Sequence, residues 1–227
     1  MPPVNTTVFT KNLDGFWNDR YNIDDFWKRR YRKIARTKAF DRKKALIQAM
    51  RLFWRKGYAA TSVEDLTETL HLSRSSLYDT FGDKRTLFLE ALKFYSERVI
   101  SITEHTLKTS SSPLTGIQAI FDSLIGGIGQ EPGSLGCFMV NSVAELVPYD
   151  PDVTKLAEEF ADGLQQLLKT ALTEASVQKL VTIKQTPEEF AAYLYNTIQG
   201  MRVLIKVGAT REQMQSISDI TLKSLHR

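Results

Sequence analysis

Hydrogen-bonding side chains occupy six of the seven positions from residue 74 to residue 80, namely Arg74, Ser75, Ser76, Tyr78, Asp79 and Thr80. On the N-terminal turn of a short exposed helix, such groups can form hydrogen bonds with base edges in a DNA major groove. Lys84 and Arg85 follow where the start of the next helix would bring them to phosphate oxygens. An ordinary solvated surface helix is the alternative explanation of the same residues.

A short helix is predicted to carry this polar run. Ser73 is its candidate N-cap, Leu77 and Phe81 fall on one buried side, and Gly82 ends it. Asp83 is then placed to cap the next helix, which we predict to be long and to reach about residue 108.

A second short helix is predicted just before it. Thr61 and Glu64 have the spacing of a capping box, so we expect this helix to start at Thr61. His71 and the residue after it form the turn. The apolar side of the helix consists of Val63, Leu66 and Leu70. Two short helices joined by a tight turn make a helix-turn-helix arrangement.

One further helix completes the predicted unit. Asp41 is its N-cap and Gly57 ends it. The apolar residues recur at helical spacing and would form the core of the unit: Leu46, Ala49, Met50 and Phe53.

From Asp41 to about Phe94 the chain resembles the DNA-binding domain of the TetR family of bacterial transcriptional regulators. The family's patterns stand here as F-x-x-x-G-Y over residues 53–58, T-S-V-x-D-L over 61–66, and S-x-x-S-L-Y-x-x-F-x-x-K-x-x-L over 73–87. The chain departs from the family at Ser75, where Gly is frequent, and at Asp79 and Thr80, where an aromatic residue and a His are common. The operator preference of relatives therefore does not carry over.

The resemblance implies an all-α fold, an N-terminal three-helix DNA-binding domain over residues 41–86, and a helical effector-binding and dimerisation domain over 87–227. Double-stranded operator DNA is the implied partner. The expected DNA-binding residues are Thr61, Ser62, Ser73, Arg74, Ser75, Ser76, Tyr78, Asp79, Thr80 and Lys84.

Residues 1–40 form a basic and aromatic extension that the resemblance does not cover. Seven cations lie within residues 28–38, interleaved with aromatic residues. Such an arm could follow DNA phosphates or enter a minor groove. A partly helical tail docked by its aromatic residues, or the translation product of an upstream start codon, are the alternatives.

Composition narrows the function classes. The chain of 227 residues carries a net charge of +4, distributed as +5 over residues 1–40, +2 over 41–90 and −3 over 91–227, so the positive potential lies at the end that would meet a polyanion.

No apolar run approaches a membrane span and no signal peptide is recognisable, which predicts a cytoplasmic protein without a membrane partner. The single Cys137 and three scattered His predict no metal and no cofactor. Cys137 is either a redox sensor or an inert buried thiol.

The C-terminal half is predicted to be helical throughout. Amphipathic segments cover residues 114–129, 135–147 and 153–175, a helix opens at Pro187 and runs to Val207, and Thr210 caps a last helix that ends near Leu225. Neither a catalytic constellation nor a nucleophile motif is present, so we expect no enzyme. The segments around Cys137 and Gly200 also resemble the family, more weakly.

In the family, the last two helices of each subunit pack as a four-helix bundle. The resemblance therefore implies a homodimer, with a seam drawn from Phe190, Leu194, Ile198, Ile205, Ile217 and Leu222; membership of each chain's own core is the alternative for these residues. The implied mechanism is a repressor released from a palindromic operator when a ligand tilts the long helix. A small hydrophobic effector would be lined by Phe94, Phe121, Leu124, Met139, Val140, Asn141 and Phe160.

Two other function classes stay open at this point. One is a helix-turn-helix regulator without a small-molecule effector, controlled by a protein partner or constitutive. The other is a helical enzyme with an incidental helix-turn-helix pattern.

Overall fold

The structure, a computed structural model, describes residues 41–129 and 133–226. It confirms the all-α fold: the described residues form α-helices, short 3₁₀ turns and connecting loops. Contacts group Arg42–Arg227 into one compact unit. The extension over residues 1–40, including its predicted DNA-binding arm, lies outside the described residues.

Nine α-helices follow one another in the described part of the chain, and we label them α1 to α9. The first four are α1 Arg42–Lys56, α2 Val63–Leu70, α3 Arg74–Phe81 and α4 Lys84–Thr109. The other five are α5 Pro113–Gly126, α6 Phe138–Leu146, α7 Pro151–Val177, α8 Pro187–Lys206 and α9 Arg211–Lys223. Short 3₁₀ turns cover Gly133–Leu135 and Ser224–His226.

Side-chain caps explain where most of these helices begin. The side chains of Ser73, Asp83, Thr186 and Thr210 each accept a hydrogen bond from a backbone N–H three residues further on, which satisfies a donor that has no partner within the helix. These starts confirm the predictions for α3, α4, α8 and α9.

The predicted start of α2 is wrong by one residue. Ser62, not Thr61, is the N-cap, and the reciprocal partner in the capping box is Asp65 rather than Glu64. Asp65 N donates to Ser62 Oγ at 3.0 Å, while Ser62 N donates to Asp65 Oδ2 at 2.8 Å. Both spacings fit the pattern, and burial decides between them: Thr61 is fully buried and its hydroxyl donates to Gly57 O at 2.6 Å.

The long helix α4 connects the helix-turn-helix to the rest of the molecule. It packs on α1 of the helix-turn-helix and also on α5, α6 and α7. Leu87, Phe88, Ala91 and Leu92 are buried along the N-terminal part. The predicted boundary between domains at residue 86 falls inside this helix, and it stays a prediction.

A large apolar core lies between α5, α7, α8 and α9. Its buried members include Phe121, Leu168, Leu172, Leu194 and Met214. No helix in the described ranges is both long and apolar enough to cross a membrane.

Candidate DNA-binding surface

Helices α2 and α3 are joined by the tight turn that the sequence predicts. His71 takes the left-handed conformation with φ of 52° and ends α2. Ser73 then caps α3 by accepting a hydrogen bond from Ser76 N at 3.1 Å. Leu77 and Phe81 are buried on the inner side of α3. Because the apolar side is anchored, the polar side of this eight-residue helix faces outward.

Four of the predicted contact residues on α3 are exposed: Arg74, Ser75, Tyr78 and Asp79. Tyr78 is 37% exposed. The Arg74 guanidinium lies 5.9 Å from the centre of the Tyr78 ring and 3.6 Å from a Glu64 carboxylate oxygen. Arg74 therefore has only weak, solvent-exposed partners, and a nucleic acid could displace them at little cost.

The other polar residues of α3 are less available. Thr80 Oγ1 donates to Ser76 O at 2.6 Å, and Ser76 Oγ pairs with Ser73 Oγ at 2.9 Å. Ser76 and Thr80 are both half-buried. These hydroxyls already form local hydrogen bonds. They therefore stabilise the helix surface and are not free donors for DNA.

Thr61 is no longer a candidate for DNA contact. Its fully buried side chain cannot reach a duplex. Ser62, which is exposed at the start of α2, keeps its place beside α3. The positive end of the α2 dipole adds to the attraction that this turn offers to a phosphate.

The charged groups of Lys84 and Arg85 have different partners. The Lys84 ammonium lies 4.3 Å from the centre of the Tyr58 ring, a cation–π contact that leaves the charge near the surface. Arg85 instead donates to both oxygens of Asp150, from Nε at 3.1 Å and from Nη2 at 2.9 Å, and to Asp152 at 2.6 Å. In this conformation the donors of Arg85 bind two carboxylates, and a contact between Arg85 and phosphate stays a prediction.

Arg85 also changes the ionisation of Asp150. The hydrogen bond from Arg85 holds the pKa of Asp150 below its ordinary value, although partial burial opposes the shift. The pair joins the start of α4 to the start of α7. The pair was not predictable from the sequence because the two residues are 65 positions apart.

Four residues of the predicted dimer seam belong to the chain's own core, and the seam itself stays a prediction. Phe190, Leu194, Ile198 and Ile205 are buried within the chain, and Ile217 and Leu222 pack against the same core. A neighbouring stripe of α8 and α9 is exposed instead, and it consists of Tyr193, Val203, Leu204, Val207 and Ile220. Helical periodicity identified an apolar side of α8 but could not tell the chain's own core from a second apolar stripe.

The predicted effector lining does not come together as one group. Phe121 and Leu124 belong to the core between α5, α7, α8 and α9. Phe160 instead packs near the Tyr95 ring, and Asn141 donates to Leu135 O and accepts from Lys206 Nζ. Phe94 and Met139 are buried and Val140 is half-buried, all three outside that core. Packing thus divides the seven residues between separate regions.

A cleft of about 440 Å³ opens elsewhere, beside the start of α8. It is lined by Lys184, Gln185, Glu189, Phe190, Tyr193 and Ser224. None of these residues belongs to the predicted lining.

An exposed, capped and polar-faced α3, held by α1 and α2 on an all-α scaffold, defines a helix-turn-helix DNA-binding protein. Comparison with known proteins agrees. Residues 45–91 match the family described as bacterial regulatory proteins, tetR family, and residues 113–220 match the tetracyclin repressor-like C-terminal domain. The chain belongs to the TetR family of bacterial transcriptional regulators.

Relatives and solved structures extend the match along the chain. An uncharacterized HTH-type transcriptional regulator of Bacillus subtilis, YezE, is 30% identical and covers 85% of this chain and 100% of its own length. The Escherichia coli HTH-type transcriptional repressor ComR is 29% identical, covering 83% of this chain and 90% of its own. The TetR family regulator CifR, solved as a cysteine mutant with 26-bp operator DNA, has a TM-score of 0.74 at 24% identity and covers 84% and 100% of the two chains.

Proposed function

We propose that this regulator is a homodimeric repressor that leaves a palindromic operator when a small molecule binds its C-terminal helices. The observation that carries the proposal is the outward polar side of α3, where Arg74, Ser75, Tyr78 and Asp79 are exposed together. Arg74 is suited to a guanine edge and Asp79 to a cytosine amine. Ser62 and Lys84 flank this side and are suited to phosphate oxygens.

The exposed stripe of α8 and α9 supports a dimer. Val207 is 75% exposed and Ile220 is 63% exposed, and Tyr193, Val203 and Leu204 continue the stripe along α8. Asn196 and Gly200 lie on the same exposed side. Gly200 has open space around its Cα, so a partner helix could approach closely there. Burial of these side chains against a second copy would remove apolar surface from water.

A dimer also fits the size of the DNA-reading element. One eight-residue helix contacts only a few base pairs, so useful specificity needs two copies on half-sites about one helical turn, or a small multiple of it, apart. Residues 1–40, if they bind DNA as an arm, would add phosphate contacts to this arrangement.

Contacts between the helix-turn-helix and the C-terminal helices supply a route for release. Arg85 of α4 forms a hydrogen bond with Asp150, just before α7. Glu145 of α6 accepts a hydrogen bond from Ala59 in the loop after α1. A ligand that moves α6 or α7 would therefore pull on the DNA-binding helices and change the separation of the two α3 copies.

Names of relatives favour repression, because ComR is called a repressor. A protein that acts on bacterial operators works in the cytoplasm, and its relatives are regulators rather than enzymes. The alternative is a regulator without a small-molecule effector, and the dense packing of the residues predicted to line an effector site favours that alternative.

The test is a footprint of the full chain on the DNA upstream of its own coding sequence. We expect two protected half-sites on one face of the duplex, and loss of protection when an effector is added. Protection that is the same on all sequences would contradict the operator-binding proposal. Operator protection that no compound releases would favour the alternative without an effector.

A further inference from the structure

A polar cluster lies inside the molecule where α4, α6 and α8 meet. The buried Tyr95 hydroxyl donates to Cys137 Sγ at 3.4 Å and accepts from Arg202 Nη1 at 3.2 Å. Gln199 lies one helical turn before Arg202 on α8. Tyr195 belongs to the same neighbourhood: burial raises the pKa of its phenol, the Cys137 thiol raises it further, and the Arg202 charge lowers it.

Several polar atoms of this cluster are enclosed but lack hydrogen-bond partners. Nε of Arg202 has no partner, and the Gln199 amide has only the Tyr195 phenol beside it, which it does not meet in good hydrogen-bond geometry. Trp54 Nε1 is a further enclosed donor without a partner, and the Trp54 ring lies 5.0 Å from the Tyr95 ring. Buried polar groups are almost always hydrogen-bonded, so several unmet groups around one tyrosine need an explanation.

The charge of Arg202 is also uncompensated. Its hydrogen-bond partner in the described structure is a phenol, and the other groups that raise its pKa against burial are the Cys137 thiol and the Tyr195 phenol. Lys206, one turn further along α8, donates to the neutral Asn141 Oδ1 at 3.0 Å. Two cations thus lie close together, and neither has a carboxylate in the part of the chain that the structure describes. Burying even part of a guanidinium without an anion is costly, and Nε of Arg202 is fully buried.

What the cluster lacks is an acceptor with a negative charge. A carboxylate only accepts hydrogen bonds, and its two oxygens match the forked donors of a guanidinium. The surroundings of Tyr95 are aromatic: its ring contacts those of Trp54, Phe138 and Phe160 at centre-to-centre distances of 5.0, 5.7 and 6.3 Å. An aromatic body would therefore find stacking partners beside the charged group.

We propose that this cluster is the effector subsite and that it binds the carboxylate of a small aromatic acid between Arg202 and Gln199. The inference rests on the proposed function for its regulatory meaning, but the binding itself does not require DNA. It replaces the purely hydrophobic effector of the sequence analysis with an amphipathic, anionic one.

The position of the cluster suits a switch. Trp54 belongs to α1 of the helix-turn-helix, and its ring packs against Tyr95 of α4 and Phe138 of α6. An acid held by Arg202 would therefore lie next to a residue that touches the DNA-binding helices. Side chains must move to admit it, and that movement would reach α1 through a single ring contact.

The experiment uses benzoate as the probe, with the full-length protein and no DNA. Calorimetry and thermal unfolding would compare benzoate with benzamide, a neutral molecule of similar shape, and with inorganic phosphate. We expect benzoate to bind and to raise Tm, and benzamide and phosphate to do neither. An equal response to phosphate would reveal a non-specific anion site, and no response to benzoate would overturn the proposal.

Two variants locate the site. Arg202→Gln is expected to weaken benzoate binding by about thirtyfold or more, since it removes the charged partner of an enclosed carboxylate. The matched control is Lys223→Gln, which removes an exposed cation on α9 and should leave binding unchanged. Gln199→Glu tests the carboxylate site while Arg202 is kept. The new side-chain carboxylate would take the place of the ligand's carboxylate beside Arg202, so it should raise Tm by about 2–4 °C and abolish benzoate binding.

Gln199→Glu protein that still binds benzoate as tightly as the wild type would overturn the proposal, even if Arg202→Gln fails to fold. The two proposals fail separately. If the protein protects its operator but does not bind benzoate, only the benzoate-site proposal is overturned. If it binds benzoate through Arg202 but protects no operator, the proposed function is overturned instead.

Discussion

The carboxylate of Glu145 accepts hydrogen bonds from the backbone N–H of Tyr58 at 3.0 Å and of the neighbouring Ala59 at 2.7 Å. Glu145 belongs to α6, whereas Tyr58 and Ala59 lie in the loop between α1 and α2. One side chain thus ties the C-terminal helices to the helix-turn-helix. The chain makes room for it with Gly57, where φ is +83° and an added Cβ would lie 2.9 Å from Glu145 Oε2.

Replacing Glu145 with Ala should loosen this tie. Two backbone donors would lose their charged acceptor, and the free energy of unfolding should fall by about 1–3 kcal/mol. Urea unfolding measures the change. Glu159→Ala, which removes an exposed carboxylate from α7, is the control and should lie within about 0.5 kcal/mol of the wild type. Equal stability of the two variants would show that the Glu145 contact contributes nothing.

Arg74 and Tyr78 should decide which operator is bound. Arg74→Ala or Tyr78→Ala should cost about 1–3 kcal/mol on the preferred operator and little on unrelated DNA, because a base contact is lost. Lys84→Ala should weaken binding to all sequences alike and reduce the salt dependence, because a phosphate contact is lost. Titrations of labelled duplexes at several salt concentrations measure both. The assignment fails if Lys84→Ala changes sequence preference and Arg74→Ala does not.

Asp65 should stabilise α2 only above acidic pH. The hydrogen bond from Lys56 at 2.6 Å, followed by that from the Ser62 backbone, lowers the pKa of Asp65 from 3.8 to about 2. Because the folded value lies below the ordinary one, the contribution is complete above about pH 4 and disappears as the pH falls from 3.8 towards 2.

An NMR titration of the Asp65 carboxyl checks this directly. Lys56→Met should move its midpoint up towards 3.8, whereas Lys93→Met, which removes an exposed cation from α4, should leave it in place. A midpoint that is already near 3.8 in the wild-type protein would contradict the structure.

A charge on the exposed stripe of α8 and α9 should break the dimer. Ile220→Glu or Val207→Glu would place a carboxylate where we expect a partner subunit, and light scattering should show a shift from dimer to monomer. The matched control is Val177→Glu, since Val177 is 79% exposed at the end of α7 and outside the stripe. If all three variants keep the same mass, the stripe is not the seam.

Local sequence signals were sufficient for the helices but not for the contacts between them. Ser73, Asp83 and Thr210 predicted their helix starts correctly, because a cap is a relation between residues only three positions apart. Pro187 predicted the start of α8, since proline is favoured in the first turn of a helix. At α2 the adjacent Thr61 and Ser62 both fitted the capping pattern, and tertiary burial chose between them.

The site was predictable where it depended on one helix. The exposed polar side of α3 followed from the spacing of Leu77 and Phe81. The pairings of Arg85 with Asp150 and of Arg202 with Tyr95 were not predictable, since 65 and 107 positions separate the partners. The residues predicted for the dimer seam could not be told from core residues for a similar reason: α8 carries two apolar stripes, and periodicity does not say which one the chain itself buries.

We propose that two copies of α3 read two half-sites of one duplex, and a change in the spacing of the half-sites tests this directly. Once a footprint has defined the operator, about five base pairs, half a helical turn, are inserted between its halves and the affinity is measured again. We expect the affinity for the altered operator to fall to that for unrelated DNA, because the second α3 would face the wrong side of the duplex. Undiminished affinity for the altered operator would contradict it.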